Sequence, residues 1–234
     1  MPKPQGLKLR QIPKKKVRRD YKGLKGCTTI AGDNLGWGGW QLKHWANKMG
    51  RKEGLTLNEA MSLATVPGSI VHAMIEAHLK ESNSQAWKDY VDFEYTQKDV
   101  DLAENSFINF LEWTRQFKMK PVAIEPILIN NRDGYGSTPD LVAYILGKLS
   151  IIDWKSGKFF ESGFLQFAAN KQNWEFNYPD QPITGGFHLL RIPRNDATLS
   201  FHHSHWSDLP PEAWEAFALC LRLNKIQPIL KELL

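Results

Sequence analysis

The sequence is poor in cysteine and has no long apolar run. Among its 234 residues only Cys27 and Cys220 could supply thiolates, which excludes a four-cysteine zinc or iron–sulfur site within one chain. No stretch reaches the roughly 18 consecutive apolar residues that a membrane-spanning helix needs. The N-terminal residues also lack the apolar segment of a secretory signal. These absences predict an intracellular protein with free thiols and no membrane partner.

Positive charge is concentrated at the N-terminal end. Residues 1–25 hold ten of the 30 Lys and Arg residues but one of the 25 acids, so they carry +9 and the remaining 209 residues carry −4. A basic arm of this kind can bind nucleic-acid phosphates by releasing counterions. We therefore expect a flexible arm over 1–25 and one domain over 26–234. The predicted DNA-contacting residues are Lys14, Lys15, Lys16, Arg18 and Arg19. A solvated tail and a nuclear localisation signal are the alternatives for this segment.

Hydrophobic periodicity predicts an α/β domain. Helices are predicted at 39–52, 56–64, 69–80, 99–118, 163–176 and 211–234. The spacing of Thr56 and Glu59 predicts a capping box, and Pro67-Gly68 is expected to separate the second helix from the third. Runs rich in Val, Ile and Leu predict a three-stranded meander at 121–130, 138–146 and 149–154, with further strands at 187–191 and 198–202. This order predicts a mixed sheet with helices packed on it.

The hairpin made by the second and third predicted strands carries two aspartates and a lysine. Asp140 and Asp153 each lie six or seven residues from the turn at Gly147-Lys148, so their carboxylates converge in an antiparallel pair. Two such carboxylates repel each other unless a cation lies between them. Lys155, two residues after Asp153, lies on the same strand face. Oxygen ligands of this kind are typical of Mg²⁺ sites, although two surface aspartates beside a turn would show the same pattern.

The pattern Pro139-Asp140, twelve intervening residues and Asp153-x-Lys155 resembles the signature of the PD-(D/E)XK nuclease superfamily. Other segments resemble its RecB-type branch and related phage and mitochondrial genome maintenance exonucleases. Residues 68–72 with Glu76 resemble the helical histidine motif, and Glu125 matches an acidic position on a strand. Gln166–Asn170 resembles the Q-x-x-x-Y element. Residues 27–30 and 42–49 resemble the N-terminal segment of these exonucleases. Asn170 departs from the tyrosine that is usual at its position.

This resemblance spans about 26–176 and implies a restriction-endonuclease-like fold with metal-dependent DNA cleavage. It implies Mg²⁺ or Mn²⁺ as the cofactor, and no iron–sulfur cluster. The implied metal ligands are His72, Glu125, Asp140, Asp153 and the carbonyl of Trp154. The implied catalytic residues are Asp140, Asp153, Lys155 and Gln166. Simpler interpretations are a packing or surface role for His72, a lysine partner for Glu125 and a satisfied polar contact for Gln166.

We expect an exonuclease that acts on single-stranded or duplex DNA ends and leaves 5′-phosphates. Recombination, repair or replication would be its setting, with a protein partner from those processes. A bacterial or phage-infected cytoplasm fits, and a nucleus or mitochondrion is the alternative. A site-specific or structure-specific endonuclease and a catalytically silent DNA-binding protein of the same fold remain alternatives. Trp37, Trp40 and Trp154 are candidates for stacking on unpaired bases.

Overall fold

The structure is a computed structural model that describes residues 19–37, 39–54, 56–80, 86–155, 159–191 and 202–233. Its α-helices are α1 (Cys27–Asn34), α2 (Gly39–Glu53), α3 (Leu57–Leu79), α4 (Gln97–Gln116), α5 (Ser162–Asn177) and α6 (Pro211–Lys231), with a 3₁₀ turn at Ala86–Tyr90. Its strands are β1 (Lys120–Ile124), β2 (Leu128–Asn130), β3 (Tyr135–Ser137), β4 (Leu141–Ile145), β5 (Lys148–Lys155), β6 (Gly186–Arg191) and β7 (His202–Trp206). None of these helices is both long and apolar enough to cross a bilayer.

Five strands form a mixed central sheet in the order β1-β4-β5-β6-β7, and β2 and β3 form a separate pair. Strands β5 and β6 run parallel to each other, and every other neighbouring pair in the central sheet is antiparallel. The parallel connection is made through α5, as expected for a β-α-β crossover. The predicted α/β class, a mixed sheet flanked by helices, is confirmed.

Both faces of the sheet are covered, which explains why β4 and β5 read as continuous apolar runs. Ile152 faces a cluster that includes Phe110 of α4 and residues of α3. Ile151 faces the opposite cluster, which includes Phe167 of α5. All four side chains are almost completely buried. The hairpin at the centre of the sheet is therefore held rigidly from both sides.

The predicted break at Pro67-Gly68 is wrong, because α3 runs through both residues from Leu57 to Leu79. The capping box between Thr56 and Glu59 is confirmed at its start. A proline inside a helix costs about 3 kcal/mol. Val66 and Ile70, on either side of it, are buried in the α3–α4 cluster. Burial of these neighbours outweighs the local preference and keeps the helix continuous.

The predicted single strand at 121–130 is also wrong. Strand β1 ends at Ile124 and β2 begins at Leu128, and the two belong to different sheets. Glu125 adopts a φ of +44°, and the following Pro126 restricts the backbone further, so the chain turns between the strands. Strand β3 was not predicted from the sequence. Of the strand predicted at 198–202, positions 198–201 lie outside the described residues, and β7 continues from His202 to Trp206.

The segment from Arg19 to Gly26 lies against β3, although the sequence groups most of it with the basic arm. The backbone N–H of Gly136 donates to the carbonyl of Lys25 at 3.0 Å. The ring of Tyr21 packs so closely on Gly136 that a Cβ there would collide with it. The Tyr21 hydroxyl also hydrogen-bonds Oγ1 of Thr138 at 2.9 Å. These contacts fasten the segment to the strand that leads into the predicted site.

Candidate metal centre

The β4–β5 pairing places the two predicted aspartates opposite each other. Leu141 pairs with Ile152, so Asp140 and Asp153 occupy the next pair of positions. Their side chains are buried, with 7% and 3% of the residue surface exposed. The backbone N–H of Trp154 donates to Oδ2 of Asp140 at 3.1 Å, which ties the start of β4 to the end of β5.

Lys155 lies on the same face of β5 as Asp153 and is paired with it. Its Nζ is 2.7 Å from one carboxylate oxygen of Asp153 and 2.9 Å from the other. The lysine side chain is about one third exposed, whereas the aspartate side chain is nearly inaccessible. The ammonium group therefore reaches from a buried carboxylate toward the surface.

Three side chains from separate parts of the chain provide possible cation ligands. His72 of α3, Glu125 after β1 and Asp140 before β4 each offer one ligand atom, and these atoms all lie within 4.8 Å of one another. Among the residues that the structure describes, no other group of three or more His, Cys, Asp or Glu side chains meets this spacing. The backbone N–H of Glu125 donates to the carbonyl of Asp140 at 3.0 Å and holds the two acids together.

The residues of this group fit a divalent cation. Ligand atoms about 2.1 Å from one Mg²⁺ ion lie at most about 4.2 Å apart, so the observed spacing needs only a small closure. Carboxylate oxygens suit Mg²⁺ and Mn²⁺, and an imidazole nitrogen favours a transition metal over Mg²⁺. Asp153, a predicted ligand, is outside the 4.8 Å group but next to Asp140. The donor set thus suits a divalent cation.

The surroundings of Asp140 and Asp153 shift the pKa values of the two carboxyl groups in opposite directions. Burial raises the pKa of Asp153 to about 7, the charge of Asp140 adds to this effect, and Lys155 opposes it. Burial also opposes ionisation of Asp140, but His72, Lys155 and the Trp154 N–H outweigh it and hold the pKa of that carboxyl below its usual range. Asp140 is therefore the carboxylate that keeps its charge at neutral pH.

Two of the predicted ligands are already engaged by protein groups. Nη2 of Arg19 is 2.8 Å from Oε2 of Glu125, and Nε1 of Trp154 donates to Nδ1 of His72 at 2.7 Å. The sequence predicted Arg19 as a DNA contact and gave no sign of this ion pair, because 106 positions separate the two residues. A cation at His72 would have to replace the Trp154 hydrogen bond, and a cation at Glu125 would share that carboxylate with Arg19 or displace the guanidinium.

Other predicted residues lie around this centre or beyond the described residues. Gln166 is half-buried on α5, and Asn170, one turn further along, is completely buried. Oδ1 of Asn170 accepts a long contact of 3.9 Å from Sγ of Cys27, and its Nδ2 has no hydrogen-bond partner. Trp37 is 56% exposed. Lys14, Lys15, Lys16 and Arg18 and the side chain of Trp40 lie outside the described part of the chain.

Comparisons with known proteins give little beyond the architecture. No protein-family model matches the chain, and no curated protein matches it. A candidate exonuclease from Eubacterium rectale is 12% identical over 69% of this chain, with a TM-score of 0.46. The protein SSO0001 is 13% identical over 70% of this chain, with a TM-score of 0.32. The chain spans 65% of the length of the first and 74% of the second. Likeness of this degree defines neither a family nor an activity.

Proposed function

We propose that this protein is a divalent-cation-dependent deoxyribonuclease. The observation that carries the proposal is the gathering of His72, Glu125 and Asp140 within 4.8 Å, next to the buried Asp153–Lys155 pair. A centre with two acids, an imidazole and an adjacent ammonium suits hydrolysis of a phosphodiester, whose negative charge grows in the transition state. The resemblance of the Asp140, Asp153 and Lys155 pattern to the PD-(D/E)XK signature supports the same reaction.

In this proposal Asp140, Glu125 and His72 hold the cation, with Asp153 and the Trp154 carbonyl as the further ligands expected from the sequence. A bound Mg²⁺ or Mn²⁺ ion would supply positive charge at the phosphate and lower the pKa of a water molecule. Lys155 donates to the attacking water or to a phosphate oxygen, and Asp153 holds its ammonium in place at 2.7 Å. Gln166 positions these groups from α5. No iron–sulfur cluster takes part.

The substrate in this proposal is DNA, and the preferred mode is exonucleolytic cleavage that leaves 5′-phosphates. Water attacks the phosphorus and the P–O3′ bond breaks, so the upstream fragment leaves with a 3′-hydroxyl and the phosphate stays on the 5′-oxygen of the downstream nucleotide. The basic residues 14–19 add affinity through phosphate contacts that weaken with salt. A role in recombination, repair or replication, with a protein partner, follows from the same resemblance.

A cleavage assay with matched variants tests the proposal. Linear and closed-circular DNA, single- and double-stranded, are incubated with the protein and Mg²⁺, Mn²⁺ or EDTA. We expect metal-dependent loss of linear DNA, no loss in EDTA, and at least a 10³-fold lower rate for Asp140→Asn. Asp180→Asn, at an exposed position in the loop between α5 and β6, should cleave at the wild-type rate.

The same assay separates the alternatives. Cleavage of closed circles would identify an endonuclease instead of an exonuclease. DNA binding without cleavage under any metal would identify a silent DNA-binding protein and overturn the enzyme proposal. Equal rates for wild type and Asp140→Asn would place the activity elsewhere or in a contaminant. Ligation of the products without prior kinase treatment checks that their 5′ ends carry phosphate.

A further inference from the structure

The ion pair between Arg19 and Glu125 lies inside the candidate metal centre. Nη2 of Arg19 is 2.8 Å from Oε2 of Glu125, and the two side chains are 33% and 20% exposed. Glu125 is one of the three side chains whose ligand atoms lie within 4.8 Å of one another. The Glu125 carboxylate, whose charge a divalent cation would neutralise, is therefore paired with a guanidinium. A guanidinium does not lose its charge by deprotonation in proteins.

The anchoring of the surrounding segment determines where Arg19 can reach. Tyr21, two residues away, packs on Gly136 and hydrogen-bonds Thr138. Thr138 in turn lies two residues before Asp140, so the segment is fastened to the strand that carries a predicted ligand. One third of the Arg19 side chain is exposed, so solvent borders part of it. A guanidinium that left Glu125 would stay within one side-chain length of the centre, because the backbone is fastened at Tyr21.

The balance of charge favours such a movement when a cation binds. The carboxylates of Glu125, Asp140 and Asp153 face the cations Arg19 and Lys155. With His72 neutral, these groups carry one negative charge when Asp153 is ionised and none when it is protonated. A divalent cation favours the ionised form of Asp153 and brings the total to one positive charge, which matches a single phosphodiester. The neighbouring Lys80 is paired with Glu76 at 2.6 Å and does not alter the balance.

We propose that Arg19 and the divalent cation compete for Glu125, and that cation binding releases the Arg19 guanidinium to contact the phosphate of the DNA. This inference rests on the proposed nuclease function and adds a residue that regulates and completes the same centre. Two like charges on one carboxylate repel each other, so the cation displaces the arginine. A planar guanidinium then pairs with phosphate oxygens in a bidentate geometry that a lysine cannot reproduce.

The first test measures cation affinity in the DNA-free protein. Mn²⁺ is titrated by calorimetry into wild type, Arg19→Gln and Arg19→Lys. Removing a partly exposed ion pair should tighten Mn²⁺ binding about fivefold in Arg19→Gln, whereas Arg19→Lys keeps the charge and should stay close to wild type. In a Glu125→Gln background, Arg19→Gln should have no further effect. Unchanged or weaker Mn²⁺ binding by Arg19→Gln would overturn the competition.

The second test measures the phosphate contact at saturating Mn²⁺. Single-turnover cleavage of linear DNA by Arg19→Gln should be at least about tenfold slower, and Arg19→Lys should recover part of the rate. The slope of log affinity for DNA against log salt should fall by about 1 in Arg19→Gln. A wild-type rate and slope in Arg19→Gln would overturn the phosphate contact. A different result would reject the proposed function itself: wild-type protein that neither binds Mn²⁺ nor cleaves DNA. That result would also reject the inference about Arg19.

Discussion

The indole N–H of Trp154 donates to Nδ1 of His72 at 2.7 Å, and the two rings meet edge to face at a centroid distance of 5.6 Å. A neutral imidazole that accepts at Nδ1 carries its proton on Nε2. A metal-binding histidine has the reverse arrangement, since its other ring nitrogen donates to an acceptor. Cation binding at His72 therefore requires the indole to give up this hydrogen bond.

Tryptophan emission should report this change. Addition of Mg²⁺ to DNA-free protein should alter the emission of wild type, because the Trp154 N–H loses its acceptor. The variant Trp154→Phe should lose that response. Trp37→Phe, which changes an exposed tryptophan in the segment before α2, should keep it. A full response in Trp154→Phe would show that His72 does not rearrange when the cation binds.

Lys155 should matter for the reaction more than for cation binding. Replacing it by Gln removes a charge-assisted donor at the phosphate, so cleavage should fall by about 10²–10³-fold. Mn²⁺ affinity should not fall, because a positive charge next to Asp153 has been removed. Lys148→Gln, at the exposed start of the same strand, is the matched control. Rates for Lys155→Gln within threefold of wild type, measured in single turnover, would contradict its role.

Gly136 should be required for docking of the segment that carries Arg19. Gly136→Ala places a methyl group against the ring of Tyr21, and we expect a loss of about 1–3 kcal/mol in the free energy of unfolding. Trypsin should then cut faster after Lys22 and Lys25. The control is Gly32→Ala, where a Cβ meets no atom within 4 Å.

A second substitution distinguishes the docking contact from a general effect on the fold. Tyr21→Ala removes the ring that the new methyl group meets. Adding Gly136→Ala to Tyr21→Ala should therefore lower the free energy of unfolding much less than Gly136→Ala does in the wild-type protein. Urea unfolding of the four proteins in this cycle provides the measurement. Additive losses would show that Tyr21 and Gly136 act independently.

Three histidines stack between β6 and β7, on the face toward α4. The ring centroid of His188 is 5.1 Å from that of His203 and 4.3 Å from that of His205. Nδ1 of His188 is 2.9 Å from Nε2 of His203. Trp113 packs edge-on against His188 and His203. Burial, with the neighbouring histidines, lowers the pKa of His188 to about 3 and also lowers the pKa of His203.

This stack predicts acid-sensitive folding. Below about pH 6.5 the unfolded chain binds a proton at His188 and the folded chain does not, so stability is present above that pH and falls as pH falls toward 3. The expected slope is about 1.4 kcal/mol per pH unit for each such proton. His188→Gln, which cannot titrate, should flatten the stability profile between pH 6.5 and 4. His202→Gln, exposed on β7, should not.

The central hairpin was predictable because its signals are local. The turn was predicted at Gly147-Lys148 and lies one residue earlier, at Leu146-Gly147. It follows from short-range patterning, as does the antiparallel pairing that brings Asp140 and Asp153 together. The sequence did not reveal contacts between distant segments, such as Arg19 with Glu125 or Tyr21 with Gly136. Such contacts depend on how the segment before α1 crosses β3, and the hydrophobic periodicity of the sequence does not predict that path.

Proline positions misled the interpretation in both directions. Pro67 was expected to end a helix, but buried residues on either side keep α3 intact. Pro126 was placed inside a strand, but with Glu125 it separates two sheets. In the first case tertiary burial outweighed the local preference, and in the second the backbone at Glu125-Pro126 turned the chain between two sheets.

The docking of residues 19–26 has a practical consequence for work with this protein. Arg19, the first residue that the structure describes, is 2.8 Å from Glu125, so any segment fused upstream is joined to the chain next to a candidate cation ligand. A polyhistidine tag fused before residue 1 would be joined to Arg19 by 18 residues, a span of at most about 65 Å, and its imidazoles would compete for the added metal. Tag-free protein is therefore the appropriate material for every titration described above.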